Sequence, residues 1–442
     1  MAAQHAAVAP RSRRRSRPVR VAAERYTVRD VVAVALIMVA VVVLVTVTWV
    51  TGGRSHAVLT HGGQAQSGAP ITREPTGLAV AWQAPSPVTA TRLVRGPLTA
   101  GTVVLTGTSE AVTARSPMTG EMVWEYRRGI PLCALEAAWG GAVTVWDFPG
   151  GCGDVMLIKG DGGRYGPSRS GFAAGPRRIV TGGQHVLSFG PHQVESWRAD
   201  LVRTLLVGPS ETPLEPDQAQ QPVCDVVDAT ENDDTVGVLR RCPGDASLRF
   251  TFFDAVPEED VTPEVEGSWL TGAHHGAVLE VTDSRALLYL AEPTPRFVVV
   301  RHSHREGDDE ATRTTVRVLE TTRAKYGRAT VPGIPIVRTD KSLFWNDGKN
   351  LYAFDAKTLA VKWSSTQVVG TPGILSSLVG SPHWLVAPVR GGLALLDGNT
   401  GERARLLPVA GPVIRKVVVI GGMIVAQQGG TILGLSPLWD AH

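Results

Sequence analysis

The chain has 442 residues, of which 43% are hydrophobic and 19% are charged, and its formal net charge is +3. The first thirty residues hold eight arginines and two acids, so they carry +6 and leave about −3 on the rest of the chain. The long remainder therefore lacks the basic surface that nucleic-acid binding requires, and we exclude that class of function.

A twenty-residue apolar run, Val31–Val50, contains no charged residue, proline or glycine. As a helix it spans about 30 Å, the thickness of the hydrocarbon core of a membrane. Because the arginines precede it, we predict a cytoplasmic tail over residues 1–30, a transmembrane helix over 31–50 and an extracytoplasmic remainder. The alternative is a cleaved signal peptide, but Thr51-Gly52-Gly53 is a poor cleavage site.

Residues 51–76 are rich in glycine, serine, glutamine, threonine and proline. This composition predicts a flexible linker that holds the following domain away from the membrane. His56 and His61 lie in this linker, and we interpret them as solvated residues.

Three segments within residues 77–442 align on one another, and each contains a strand, a tight polar turn and a second strand. An aspartate or serine before the turn can accept bonds from backbone N–H groups, and glycine permits a positive φ. The segments are VTARSPMTGEMVW, LYAFDAKTLAVKW and LALLDGNTGERAR, with recurring positions at Ser116, Thr119, Gly120, Trp124, Asp355, Thr358, Trp363, Asp397, Thr400 and Gly401.

The repeats are evenly spaced, with 42 residues from Trp82 to Trp124 and 42 from Trp363 to Arg405. A period of about 40–45 residues with four strands in each unit is typical of the blades of a β-propeller. We predict an all-β propeller with eight blades, or seven if one middle unit is misassigned. The middle blades are expected to end near Val261 and Phe297, with surface insertions at 211–221 and 305–313.

The ends of this domain complement each other. The final segment, Val413–Leu438, contains three strands, whereas a blade needs four. Gly77–Ala84 is an isolated strand, and its Trp82 matches the fourth-strand tryptophan of the repeat. We predict that these two segments pair and close the ring, which leaves no exposed sheet edge at the junction.

The four cysteines lie after the apolar run, where disulfides form and persist in an extracytoplasmic protein. In the blade pattern, Cys133 and Cys152 sit across one inner hairpin, and Cys224 and Cys242 sit across another. We therefore predict the disulfides Cys133–Cys152 and Cys224–Cys242, each worth about 3 kcal/mol in the chain-entropy model. No CxxC motif indicates redox activity.

Other polar clusters are weaker candidates. His302 and His304 could face one metal ion if they lie on a strand, but a solvated charged loop explains them equally well. The acidic run Glu231–Asp234 lacks the spacing of a calcium loop, and His274-His275 lies in a polar turn. No catalytic motif for hydrolysis or phosphate binding is present. We predict no catalytic, cofactor-binding or metal-binding residue.

The AxDxxTGxxxW-type turn in the three segments resembles the repeat of quinoprotein-type propellers. That family includes pyrroloquinoline-quinone dehydrogenases and non-enzymatic scaffolds, among them the lipoprotein that helps to assemble outer-membrane β-barrels. With its single anchor and its Val-, Ala- and Arg-rich bias, the chain looks like membrane-anchored propellers of actinobacteria. A dehydrogenase would imply adjacent cysteines and a calcium-binding acid cluster, and the sequence has neither.

The resemblance therefore implies a scaffold or accessory subunit whose partners are other cell-envelope proteins, with no cofactor. The alternative is a sensing ectodomain that binds a glycan, a lipid or a peptide. A quinoprotein dehydrogenase is the third and least favoured interpretation. The motif specifies the fold much better than the function, because function depends on sites placed on a fold.

Overall fold

The computed structural model describes residues 27–51, 57–86, 96–148, 151–160, 162–171, 175, 177–209, 222–302, 315–320, 336–375 and 384–439. The chain divides into two compact units, Met1–Ser55 and His56–His442. The described part of the first unit is one helix. All of the described strands belong to the second unit.

The helix α1 runs from Val28 to Thr51. Its first turn is closed by a capping box, in which the Thr27 N–H donates to Asp30 Oδ2 at 2.8 Å and the Asp30 N–H donates to Thr27 Oγ1 at 3.4 Å. Residues Val28–Thr48 have a mean hydropathy of 3.1 and are long enough to cross a membrane.

The second unit is an eight-bladed β-propeller, which confirms the predicted fold class. Its blades are antiparallel sheets. The first blade contains β1 (Val58–His61), β3 (Leu98–Ala100), β4 (Val103–Gly107), β5 (Ala111–Arg115) and β6 (Met122–Arg127), and the second contains β7 (Leu132–Ala138), β8 (Gly141–Phe148), β9 (Gly151–Lys159) and β10 (Arg164–Ser170). The third blade contains β11 (Arg178–Thr181), β12 (Val186–Phe189), β13 (Val194–Trp197) and β14 (Arg203–Val207), and the fourth contains β15 (Asp225–Glu231), β16 (Thr235–Arg241), β17 (Arg249–Asp254) and β18 (Val265–Leu270).

The fifth blade contains β19 (Gly276–Thr282), β20 (Arg285–Leu290), β21 (Arg296–Arg301) and β22 (Thr315–Glu320), and the sixth contains β23 (Val337–Arg338), β24 (Ser342–Asn346), β25 (Asn350–Asp355) and β26 (Val361–Thr366). The seventh blade contains β27 (Gly373–Leu375), β28 (Trp384–Val389), β29 (Gly392–Asp397) and β30 (Arg403–Pro408). The eighth contains β31 (Ile414–Ile420), β32 (Met423–Gln428) and β33 (Thr431–Leu438), and its fourth strand is the early strand β2 (Gly77–Pro85). Within each blade the strands are ordered from the centre of the ring to its rim, except that β1 lies outside β6 and β2 lies outside β33.

The blades are held together by apolar clusters between neighbouring sheets. The second and third strands of most blades are almost entirely buried, as in β4, because a blade is covered on both faces by its neighbours. One cluster joins the first two blades through Trp124 and Trp146, and another joins the last two through Leu407 and Leu435.

Ring closure follows the prediction. β2 pairs antiparallel with β33, with Gly77 opposite Leu438 and Ala84 opposite Ile432. The fourth strand of the last blade therefore comes from a part of the sequence more than three hundred residues before the other three strands. This pairing satisfies the backbone groups of both strands at the junction.

The linker prediction is wrong for residues 57–76. Val58–His61 form β1, which pairs with β6 at the rim of the first blade, and Ile71 is buried among residues of the last two blades. Ladder hydrogen bonds and the burial of Ile71 fix this segment, and its polar composition did not reveal either. Residues 52–56 of the predicted linker, with His56, lie outside the described residues. His61 is exposed to solvent as predicted, but it lies in β1 rather than in a linker.

The predicted ends of the middle blades are also wrong. Val261 lies before the fourth strand β18, and Phe297 lies in the third strand β21. The two predicted insertions fall almost wholly outside the described residues. The long connections there shift the register of the repeat, which explains why the period was unclear in this part of the sequence.

Candidate functional site

The described part of the propeller contains a central cavity of about 660 Å³. It is lined mainly by the first strands of the blades, which meet around the axis of the ring. Volumes of about 300–1,000 Å³ are usual for small-molecule sites, so this cavity is the first place to look for chemistry.

One ion pair at the cavity joins the third and fourth blades. Arg178 at the start of β11 lies 3.2 Å from Asp228 on β15, and its Nη2 donates to the Val227 carbonyl oxygen at 2.6 Å. The other carboxylate oxygen of Asp228 accepts the Val278 N–H at 3.0 Å. Burial lowers the pKa of Arg178, and the adjacent Asp228 opposes that shift. The pair is thus committed to backbone groups of neighbouring blades.

A second ion pair joins the fifth and sixth blades. Arg338 on β23 donates two hydrogen bonds to Glu280 on β19. Its Nε lies 2.7 Å from Oε2 of the carboxylate, and its Nη2 lies 3.3 Å from Oε1. Glu280 is buried, whereas the arginine side chain is partly exposed. A bidentate pair of this kind fixes the relative position of two first strands.

The cavity therefore contains one ion pair of its own, Arg178–Asp228, and Arg338, whose partner Glu280 lies outside the lining. Glu136, Asp340 and Lys416 also line it, so both signs of charge are represented. The three described lining carboxylates, Glu136, Asp228 and Asp340, lie in the second, fourth and sixth blades. The arrangement can hold first strands in place and can offer hydrogen bonds to a guest.

A quinone cofactor does not fit the described residues. The resemblance to quinoprotein dehydrogenases implies adjacent cysteines and free carboxylates for calcium at the cavity. No cysteine is among the described lining residues, and the lining carboxylate Asp228 is already paired with Arg178. We therefore derive no step through such a cofactor.

Both predicted disulfides are present. Cys224 and Cys242 flank the hairpin of β15 and β16, where Asp225 pairs with Arg241, so this disulfide closes an inner hairpin as expected. In the second blade, Cys133 lies near the start of β7 and Cys152 follows β8, so the disulfide Cys133–Cys152 joins the open end of the inner hairpin as predicted. Asp147 lies near this pair, but bonded cysteines are not available as metal ligands.

The predicted turn residues have structural roles. Asp355 accepts the N–H groups of Lys357 and Thr358 and the Thr358 hydroxyl, and Asp397 accepts the N–H groups of Asn399 and Thr400. Ser116 differs, because its hydroxyl contacts Gln66 rather than its own turn. Thr119 contacts Glu121.

The repeat tryptophans connect each turn to the preceding blade. Trp363 Nε1 donates to the Gly398 carbonyl oxygen at 3.1 Å, and a Cβ on Gly401 would collide with its ring. Trp124 Nε1 donates to the Gly160 carbonyl oxygen at 3.0 Å in the second blade. Gly401 has a φ of 75°, which explains why glycine occupies the turn.

The first and last blades are joined by the same contact. Trp82 Nε1 donates to the Pro117 carbonyl oxygen at 2.7 Å, and its ring covers Gly120, whose φ is 71°. The tryptophan of the strand that closes the ring thus binds the turn of the first repeat. The predicted turn positions consequently define contacts between blades and no binding site.

The histidine and acidic candidates lie apart from the cavity. His302 is buried, with Nε2 at 2.9 Å from the Asp283 carbonyl oxygen, so the solvated-loop interpretation is wrong for it; His304 lies outside the described residues. His275 Nδ1 lies 2.7 Å from Glu292 Oε1, and the adjacent His274 donates its backbone N–H to the same carboxylate.

Glu231 begins the predicted acidic run, but it is fully buried. The Ser196 hydroxyl donates to Glu231 Oε2 at 2.8 Å. Burial raises the pKa of Glu231 well above its usual value, which favours the protonated form of the carboxyl group. A buried acid bonded to Ser196 of the neighbouring blade has a packing role.

Sequence reasoning missed the buried charges between blades. Arg128 and Asp154 form a 2.8 Å ion pair with side chains only 2% and 4% exposed, beside the ring of Trp146. The position of Arg128, directly after the fourth strand of the first blade, is the one sequence feature that could have indicated its burial. Because it is charged, the sequence alone suggested an ordinary surface residue.

The structure is thus an eight-bladed propeller with a central cavity whose lining includes an ion pair between blades. No protein-family model matches the chain, and no curated protein matches its sequence. Among solved structures, it is similar to BamB from Moraxella catarrhalis, with 12% identity and a TM-score of 0.47 over 81% of this chain and 99% of that one.

Two other solved structures are similar at the same level. The quinohemoprotein alcohol dehydrogenase ADHIIG from Pseudomonas putida HK5 has 13% identity and a TM-score of 0.48, over 85% of this chain and 79% of that one. The computationally designed Ika8 protein has 13% identity and a TM-score of 0.48, over 85% and 100%. Similarity at this level concerns the fold alone.

Proposed function

We propose that this protein is a single-pass membrane protein whose extracytoplasmic propeller binds other cell-envelope proteins as a scaffold or accessory subunit. The observation that carries the proposal is the addition of β1 to the rim of the first blade. Val58–His61 pair with Trp124–Arg127 through four successive residues. The rim of this propeller therefore accepts an extended segment, which is a recurrent way for sheets to bind partner proteins.

The rim offers further edges for such binding. In the seventh blade, β30 exposes Arg403, Ala404, Arg405 and Leu406, and the leucine is 45% exposed. In the fourth blade, β18 exposes Val265. Outer strands with exposed apolar side chains and unpaired backbone groups favour an extended partner, and arginines beside them favour an acidic one.

The anchor would assist this role. The arginine-rich tail favours a cytoplasmic N-terminus, and the two disulfides are consistent with an oxidising compartment outside the membrane. Confinement to the membrane would raise the effective concentration of the propeller toward other membrane proteins. We also propose that the protein is not an enzyme, because the cavity carboxylate Asp228 is held by Arg178.

A photo-crosslinking experiment in native membranes tests the scaffold role. A photoreactive amino acid is placed at Leu406 or Val265 on the rim and, as the matched control, at Lys416 in the cavity. We expect discrete adducts with identified envelope proteins from at least one rim position and none from the cavity. Protein adducts from neither rim position would refute binding through these edges.

The size of the cavity favours a second candidate function, the binding of a small envelope molecule. Glu136, Asp340 and Lys416 could then orient a polar guest such as a glycan or a peptide. A rise of several degrees in melting temperature with one envelope fraction, abolished by Lys416→Ala, would support this function. The scaffold role predicts no such shift.

A further inference from the structure

The segment from Ala57 to Pro70, which we name the clasp, runs across the junction between the first and last blades. After β1, the N–H of Gly62 donates to the Val123 carbonyl oxygen at 2.8 Å and that of Gly63 to the Met122 carbonyl oxygen at 3.0 Å. Farther along, the N–H of Gly68 donates to the Gly421 carbonyl oxygen at 2.8 Å in the last blade. The clasp therefore binds the blades that meet where the ring closes.

The clasp is held almost entirely by backbone hydrogen bonds. None of its fourteen residues is buried, and only Ala57, Leu59 and Ala65 pack partly against the core of the first blades. The next residue, Ile71, is 6% exposed and lies in the core of the last two blades. Segments with few buried apolar contacts open locally at a small fraction of the free energy of global unfolding.

We propose that the clasp is a releasable strap that sets the length of free chain between the membrane anchor and the propeller. Opening proceeds from Ala57 as far as Ile71, which stays buried and marks the end of the released segment. The ring itself remains closed in the open state, because β2 still pairs with β33. The proposal does not depend on which partner the propeller binds.

The change in chain length is large. With the clasp bound, six peptide steps join Thr51 at the end of α1 to Ala57, and their extended length is about 20 Å. With the clasp open, twenty steps join Thr51 to Ile71, and their extended length is about 70 Å. Release would therefore widen the range over which the anchored propeller can meet partners, and it would expose the edge of β6 to an extended segment.

Two adjacent glycines provide a matched pair of variants. A Cβ on Gly62 would overlap the Met122 carbonyl oxygen, so Gly62→Ala pushes the clasp away from β6. A Cβ on Gly63 has nothing within 4 Å, so Gly63→Ala leaves the clasp in place. Both substitutions have the same chemistry and lie on the same exposed segment.

Hydrogen exchange of the full chain in lipid nanodiscs, followed by mass spectrometry, measures release directly. We expect amides of residues 58–69 in the unmodified protein to exchange at least about tenfold faster than those of β32 and β33, yet slower than an unprotected chain. Gly62→Ala should raise exchange in 58–69 and at the edge of β6 by a further factor of about ten, without changing β2 or β33. Gly63→Ala should match the unmodified protein.

A cross-strand disulfide provides the opposite perturbation. Thr60 and Glu125 are directly opposite each other, so Thr60→Cys combined with Glu125→Cys should lock the clasp when oxidised and release it when reduced. Slower exchange in 58–61 is expected only in the oxidised form.

Three results would overturn the proposal. If the amides of residues 58–69 exchange as slowly as those of β32, the clasp is a permanent part of the ring. If they exchange at the rate of an unprotected chain, no clasp forms. A large fall in melting temperature with Gly62→Ala, accompanied by faster exchange throughout the propeller, would show that opening cannot be separated from unfolding. Photo-crosslinking at the rim is a separate measurement, so failure of one proposal is distinguishable from failure of the other.

Discussion

Replacing Trp82 with alanine tests the closure of the ring. Trp82 is 9% exposed, lies on β2, and contacts both β33 and the turn of the first blade. A tryptophan buries about 200 Å², which at about 25 cal/mol per Å² corresponds to about 5 kcal/mol. Substitutions of buried tryptophan by alanine cost about 3–5 kcal/mol, and the lost bond to Pro117 adds about 1 kcal/mol. We expect a total loss of about 4–6 kcal/mol.

The assay is urea denaturation of the full chain in detergent, followed by circular dichroism in the β-sheet region. Trp439→Ala is the matched control, because Trp439 follows β33 of the same blade, is 44% exposed and lies beside the Arg73 guanidinium group. We expect that control to cost less than about 1 kcal/mol. If both variants have the same midpoint, Trp82 does not hold the ring closed, and the reasoning that joins the two ends of the domain fails.

Three further predictions concern buried groups. Asp154→Asn leaves Arg128 with an uncompensated charge between blades, and we expect a loss of about 3–5 kcal/mol in the same urea assay; a loss below about 1 kcal/mol would contradict it. The raised pKa of Glu231 means that the native state retains a proton that the unfolded state has lost, so stability should decline as pH rises above the unfolded pKa of about 4.5 toward the native pKa. Glu231→Gln should make the urea midpoint less dependent on pH over that window, and an unchanged slope would refute the assignment. Replacing Cys224 and Cys242 together with alanine should lower the free energy of unfolding by about 3 kcal/mol. The variant should therefore melt at a lower temperature than the disulfide-bonded protein, and an unchanged melting temperature would contradict this prediction.

The repeat turns show how far sequence reasoning reached. The periodic Trp124 and Trp363 and the turn residues Asp355 and Asp397 indicated blades because each repeat meets the same local requirement: a capped turn and a ring to cover it. Periodicity also predicted the pairing of the Trp82 strand with the last blade, since three strands need a fourth. These inferences succeeded because a blade is a local structure that is copied along the chain.

The clasp and the cavity show where sequence reasoning ended. Leu59 and Ile71 lie in a segment that is polar overall, so neither composition nor periodicity indicated that they pack on the propeller. Arg178 and Arg338 appear in the sequence as ordinary surface charges, and their partners are about fifty residues away in neighbouring blades. Contacts between such distant residues depend on how the ring assembles, and a single sequence carries no pattern for them.

The sequence by itself determined the apolar helix, the blade architecture, the disulfide pairing and the strand that closes the ring, because each depends on a run or a spacing along the chain. Only the tertiary structure decided that Glu231 is buried, that Arg178 and Arg338 pair with carboxylates of neighbouring blades, and that the segment after the helix adds a strand to the first blade. The physical reason is that burial and ion pairing depend on what the neighbouring blades place around a side chain, whereas repeats and apolar runs depend only on the local chain.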